Sequence, residues 1–172
     1  MPTAMDLDEL YQASYRRLVV QIYAICGDLA QAEDAVQDAF VTALRKESQL
    51  ARVSNPEAWV RTVALNSVRH GWRHASVVRR YQAKVPGPQG PADVGPEHVA
   101  IVTALEELDA GQREAVVLHY LGDLPIADVA VQLGVAEGTV KSRLARARDR
   151  LADLLDDTGD DTGDDTEEVR HV

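Results

Sequence analysis

The chain has 172 residues and a formal charge of −10, from 18 Lys and Arg against 28 Asp and Glu, and only 5% of it is aromatic. That length suits one ordinary domain or two small ones, and an apolar content carried by Ala, Val and Leu suits helical bundles better than a sheet-based core. No stretch of about 18 apolar residues exists, which excludes a membrane-spanning helix, and the acidic start MPTAMDLDEL lacks the apolar run of a secretory signal.

In chain order, Leu7, Leu10, Tyr11, Tyr15, Leu18, Val19 and Ile22 recur at helical spacing, and Gly27 ends that element. Cys26, the single cysteine, lies on its apolar stripe. It has no partner for an internal disulfide and reads as a small core residue in a reducing cytoplasm. Asp28 and Gln31 form a D-x-x-Q capping box that opens a second helix to about Lys46, with Leu29, Ala32, Val36, Phe40, Ala43 and Leu44 as its core stripe. Asn55-Pro56 starts a third helix, a side-chain cap followed by proline at the first helical position, running to about Val78 although Gly71 weakens it. Four prolines and three glycines between Val85 and Pro96 continue no helix and build no strand, so a linker is expected over residues 81–95.

Helical patterning then resumes. Val99, Val102, Leu105 and Leu108 mark one helix, Asp109 with Gln112 caps the next, and two more span about Ile126–Leu133 and Glu137–Leu155. Residues 156–172 repeat DDTG and carry eight carboxylates against Arg170 alone, a composition that predicts a disordered tail. The fold class expected is all-α: two small helical domains over 1–80 and 96–155, a flexible linker, and an acidic tail.

The distribution of charge matters more than its sum. Between Ala58 and Ala92 there is no Asp or Glu, while Arg61, Arg69, Arg73, Arg79, Arg80 and Lys84 fall there. From Lys141 to Arg150 bases outnumber acids five to one. Two basic islands in an acidic chain suit two contacts with a polyanion, or equally two solvated helix faces.

Spacing separates those readings in the second half. Ala130, Gly134 and Val140 have the separations of a helix-turn-helix: a small residue for close helix approach, a glycine for a turn with positive φ, and a β-branched anchor. Val140, Leu144, Ala147, Leu151 and Leu154 line one inward stripe, leaving Lys141, Ser142, Ala145 and Arg146 outward, where they would reach base edges in a major groove. Leu124-Pro125 starts the first helix of the motif without a capping side chain. In the first half, Gln31, Asp34, Asp38 and Thr42, with Val41 at the edge, lie opposite Phe40. Phosphate would repel that acidic stripe, so it reads as a protein-docking face or as solvated surface. After Pro56, Thr62, Asn66, Arg69 and Arg73 share a strip at spacings of four, three and four, suited to bases and phosphates. Trp59 goes with Val60 and Val63 and reads mainly as core.

The order AEDAVQDAFVTAL, NPEAWVRTVALNSVRHGWR, a Pro/Gly linker, then LDAGQREAVVLHYLGDLPIADVAVQLGVAEGTVKSRLARARDRL closely resembles the extracytoplasmic-function sigma factors of the sigma-70 family, over about Leu7 to Leu155. The resemblance implies two domains, region 2 and region 4, and an initiation subunit that lends RNA polymerase its promoter specificity and assists melting of the −10 element. It implies that the helix with Glu33, Asp34, Asp38 and Val41 docks on the clamp helices of the largest polymerase subunit, and that region 4 meets the flap of the second-largest. It further implies −10 contacts from Arg61, Thr62, Asn66, Arg69 and Arg73 with the Val53–Pro56 loop, a flipped base being held near Asn66 and Arg69. The −35 duplex would meet Lys141, Ser142, Arg143, Ala145 and Arg146. Many family members carry a larger side chain where Ala145 stands, which leaves only a methyl contact there. An anti-sigma factor joins core polymerase and promoter DNA as a candidate partner.

A repressor binding DNA on its own would need a dimer face or ligand pocket in the first domain instead of a basic strip and an acidic helix. No catalytic, cofactor or metal site is expected: the histidines at 70, 74, 98, 119 and 171 lack ligand spacing, and no phosphate loop or nucleophile motif occurs.

Overall fold

The computed structural model describes residues 6–78 and 96–159, with the side chains of 6–71 and 100–154. Every element among them is helical: α1 (Leu7–Cys26), α2 (Leu29–Arg45), α3 (Glu47–Leu50), α4 (Pro56–Val78), α5 (Pro96–Glu106), α6 (Ala110–Val116), which widens into a π-turn (Val117–Leu121), α7 (Ile126–Leu133) and α8 (Glu137–Gly159). The expected linker, residues 81–95, falls wholly outside the described residues, and so does the tail beyond Gly159. Residues 156–159, expected in that tail, instead extend α8. An established helix gains one backbone bond per residue it fixes, so it runs past its last apolar position.

The capping signals act as their chemistry dictates. The Asp28 carboxylate accepts from the Gln31 amide at 3.0 Å, Asn55 Oδ1 from the Ala58 amide at 3.0 Å, and Asp109 from the Gln112 amide at 2.9 Å. Each satisfies one of the orphan donors that every helix start leaves. Gly27 closes α1 in the left-handed region, its amide bonding the Tyr23 carbonyl at 2.7 Å. Pro125 precedes α7 with no side-chain cap, as its sequence indicates.

The first bundle packs α1, α2 and α4 around Leu18, Ile22, Val36, Val60 and Leu65, all fully buried. Truncating Ile22 to alanine would cost about 2–5 kcal/mol, the transfer term plus the cavity left behind. Tyr11 stacks on Tyr15 at 4.7 Å and meets Phe40 edge-on at 4.9 Å, closing one end. Cys26, the last residue of α1, is half-buried, and its Sγ donates to the Asp28 carbonyl at 3.1 Å. The second bundle packs α6, α7 and α8 around Val117, Leu118, Val129, Val140 and Ala147. The π-turn inside it requires Gly122, because a Cβ there would stand 2.6 Å from the Leu118 carbonyl oxygen.

The two bundles close on each other. Arg113 on α6 donates to the carbonyls of Leu105 (2.7 Å), Glu106 (2.9 Å) and Leu108 (3.1 Å) at the end of α5, and to that of Ile25 (3.0 Å) at the end of α1. One guanidinium thus faces the carbonyl ends of two helices, where the helix dipole favours a cation. Gln21, 1% exposed, accepts from Arg61 Nε at 2.8 Å and reaches the Leu121 carbonyl at 3.5 Å.

Candidate functional site

The candidate faces lie on α2, α4 and α8. On α2 the apolar stripe turns inward and leaves Asp34 and Asp38 exposed one turn apart, with Glu33 half-buried and Val41 exposed. The Thr42 hydroxyl folds back onto the Asp38 carbonyl at 2.8 Å. Leu44, expected in the core stripe, is 62% exposed. It follows Ala43 by a single residue, about 100° around the helix, and the first bundle fills only the Ala43 side. With Leu7, Tyr11, Phe40 and Val41 it lines an apolar groove edged by Asp6, Asp8 and Glu47, and Val41 joins it to the face of Asp34 and Asp38. Acid and exposed apolar surface therefore adjoin, a combination suited to a protein partner.

On α4 the expected strip divides. Asn66 is exposed; Thr62 is half-buried, its hydroxyl donating to the Ala58 carbonyl at 2.8 Å; Arg73's side chain lies outside the described residues. Arg61 is withdrawn from the surface altogether, at 3% exposure. It donates to Gln21 and, at 2.8 Å, to Glu57 one turn earlier, and Glu57 also takes Arg17. Burial pulls the Arg61 guanidinium below the usual arginine range, with Glu57 acting in the opposite sense. Arg61, expected to meet DNA, is placed inward in this structure: counted in steps of three and four it belongs with Ala64, Leu65 and Val68. Arg69 is placed on the strip but engaged. Its Nε and Nη2 donate to the two carboxylate oxygens of Glu114 on α6, both at 2.7 Å, and these bonds hold the guanidinium above its usual range. Beside Thr62, a groove is lined by Val53, Asn55, Trp59, Thr62, Leu124, Val131 and Gln132, so α7 stands over the loop before α4.

In the helix-turn-helix, Gly134 ends α7 with φ +65°, the left-handed conformation that the turn requires and that glycine adopts without a Cβ clash. Val140, Leu144 and Ala147 are buried, and Lys141, Ser142 and Arg146 are exposed on the opposite side of α8. Ala145 is half-buried. Arg143 is half-buried over the start of α6, where a Cβ on Gly111 would come within 2.9 Å of its Cζ. The outward face is basic and stands on a rigid, apolar-anchored helix, the arrangement for reading a duplex groove.

Sequence reasoning missed Glu114, Gln132 and Arg113. Their partners lie 45, 74 and 88 residues away along the chain, and nothing local marks them. The one available signal was an acid, Glu114, set against the apolar run that begins at Ala115.

Among the described residues no helix is long and apolar enough to cross a membrane, and no group of His, Cys, Asp and Glu could hold a metal ion. Comparison with known proteins matches residues 10–78 to the sigma-70 region 2 family and residues 98–151 to the sigma-70 region 4 family. The chain is 35% identical over 147 residues to the ECF RNA polymerase sigma factor SigM of Mycobacterium tuberculosis, covering 84% of this chain and 74% of that protein. To a probable RNA polymerase sigma-C factor of Mycobacterium bovis it is 31% identical over 140 residues, 77% and 75% of the two chains. Among solved structures it resembles the sigma factor RpoE of Bartonella quintana, crystallised with the anti-sigma factor NepR, at TM-score 0.69 and 29% identity over 87% of this chain and 96% of that one. CnrH, solved with the cytosolic domain of CnrY, shares the fold at TM-score 0.63 and 24% identity, over 88% of each chain.

Two helical bundles, one matching region 2 and one carrying the region 4 helix-turn-helix, define the class of two-domain sigma-70 proteins. The chain belongs to the extracytoplasmic-function RNA polymerase sigma factors, which act in transcription initiation on promoter DNA.

Proposed function

We propose that this factor divides its work among three faces. The α2 strip of Asp34, Asp38 and Val41, with Glu33 at its edge, docks on the clamp helices of the largest polymerase subunit, and region 4 meets the flap of the second-largest. Asn66, Thr62, Arg69 and Arg73 on α4, with the Val53–Pro56 loop, hold the melted −10 strand. Lys141, Ser142, Arg143, Ala145 and Arg146 meet the −35 duplex, Ala145 offering only a methyl contact. The factor itself performs no bond chemistry, binds no cofactor, and works in the cytoplasm with the polymerase. An anti-sigma partner belongs to the proposal too, since the similar RpoE was crystallised with the anti-sigma factor NepR.

The single observation that carries this reading is the opposition on α8: Val140, Leu144 and Ala147 buried, Lys141, Ser142 and Arg146 exposed one helix face away. Run-off transcription with core polymerase on a genomic fragment library tests it. The expected result is a set of transcripts that require this protein and share a −10/−35 pair. Specific binding of one operator by the protein alone, with no stimulation of core polymerase, would overturn it.

A further inference from the structure

Among the described residues, the strip assigned above to the −10 strand is the one of the three faces whose arginine the other bundle engages. Among the described residues Lys141, Ser142 and Arg146 on α8 and Asp34 and Asp38 on α2 are exposed, but Arg69 on α4 is taken by Glu114 of the other bundle. The contact is bidentate, both bonds are 2.7 Å, and the Glu114 side chain is only 7% exposed. A guanidinium fork recognises the paired oxygens of a carboxylate and of a phosphate with the same geometry.

A second contact covers the same region. Gln132 of α7 donates from Nε2 to the Ala58 carbonyl at 3.1 Å, at the edge of the groove beside Thr62 and Trp59. Its other amide atom, Oε1, is buried with no hydrogen-bond partner among the described residues. An unsatisfied buried acceptor makes this closure less favourable than a fully paired interface, as suits surfaces that separate.

From these contacts we infer that Glu114 acts as an intramolecular stand-in for a DNA phosphate: its carboxylate occupies Arg69 in the closed molecule and keeps the free factor from single-stranded DNA until the two bundles part. The inference rests on the assignment of Arg69 to the −10 strand. Elements named for positions −10 and −35 lie about 25 base pairs apart, about 85 Å of duplex at 3.4 Å per step. A factor reading both cannot keep Arg69 in contact with Glu114, so engagement of the promoter itself requires the pair to break. Once apart, both ions return to water, and neither is left buried and unpaired.

The test uses the full chain, a fluorescein-labelled single-stranded DNA 12-mer of random sequence, and core polymerase. Glu114→Gln keeps the shape and removes the charge. It should raise the affinity of the free protein for the 12-mer about fivefold or more at low salt. The gain should vanish in an Arg69→Ala background. Glu114→Asp, which keeps the charge but shortens the reach toward Arg69, should produce a smaller gain in the same direction and serves if Glu114→Gln fails to fold. Unchanged affinity in the folded variants overturns the inference. Run-off transcription by the holoenzyme separates this from the assignment beneath it: there Arg69→Ala should lower promoter opening while Glu114→Gln stays within about twofold of the parent. If Arg69→Ala is impaired in the holoenzyme but Glu114→Gln gains no affinity, only the stand-in fails. If Arg69→Ala is silent in the holoenzyme, the −10 assignment fails, and the inference falls with it.

Discussion

Replacing Arg113 by methionine keeps most of the aliphatic stem and removes a guanidinium that serves four carbonyls, those of Leu105, Glu106, Leu108 and Ile25. The Glu106 carbonyl is open to water and loses little. The other three bonds are part-buried, and hydrogen bonds to a charged donor are worth about 1.5–3 kcal/mol each when well shielded. Solvent access and the relief of burying a cation roughly halve that value, which leaves about 3 kcal/mol for the substitution. In a chain of this size such a loss lowers Tm by about 6–12 °C. Urea denaturation followed by far-UV circular dichroism measures it. Trp59 lies in α4 and lines the groove facing α7, so its fluorescence follows the first bundle and that contact, set against the whole-chain helix signal from circular dichroism. Because Arg113 ties α6 to the end of α1, the two transitions should coincide in the parent and separate in the variant. Arg113→Lys should recover less than half of the loss, since a compact ammonium lacks the fork that spans two helix ends. A loss under about 1 kcal/mol with coincident transitions would refute the view that this residue joins the bundles.

Asp38→Arg, on an exposed turn of α2, should weaken binding to core polymerase in a pull-down while leaving helicity unchanged; undiminished binding would remove α2 as the docking face. Arg146→Ala should cost about 1–3 kcal/mol at one −35 base position if the side chain makes a bidentate base contact. A uniform loss across randomised −35 elements, with the salt slope reduced by about one, would make it a phosphate clamp instead. Burial pushes the Cys26 thiol up to about 11, so the folded protein should react slowly with iodoacetamide at pH 8, where about one thiol in a thousand is ionised. The rate should climb toward pH 11, and fast alkylation of the native protein at pH 8 would contradict the burial.

Short-range rules set the local structure of this chain, and those rules are written in the sequence. The caps at Asp28, Asn55 and Asp109, the glycine turn at Gly134 and the buried stripe of α8 each depend on residues within one or two helical turns. The family resemblance rests on the same local patterns. Packing decided the rest. Leu44 reads as core by periodicity, yet no element among the described residues covers its side of α2. Arg61 reads as a free base in a basic island, yet it faces Gln21 across the bundle. Arg69 lies where the strip predicts, but its partner is Glu114, 45 residues on. A pattern of spacings states which side chains share a face. It cannot state which distant carboxylate arrives there, because that depends on how one bundle settles against the other, and only the tertiary structure fixes that.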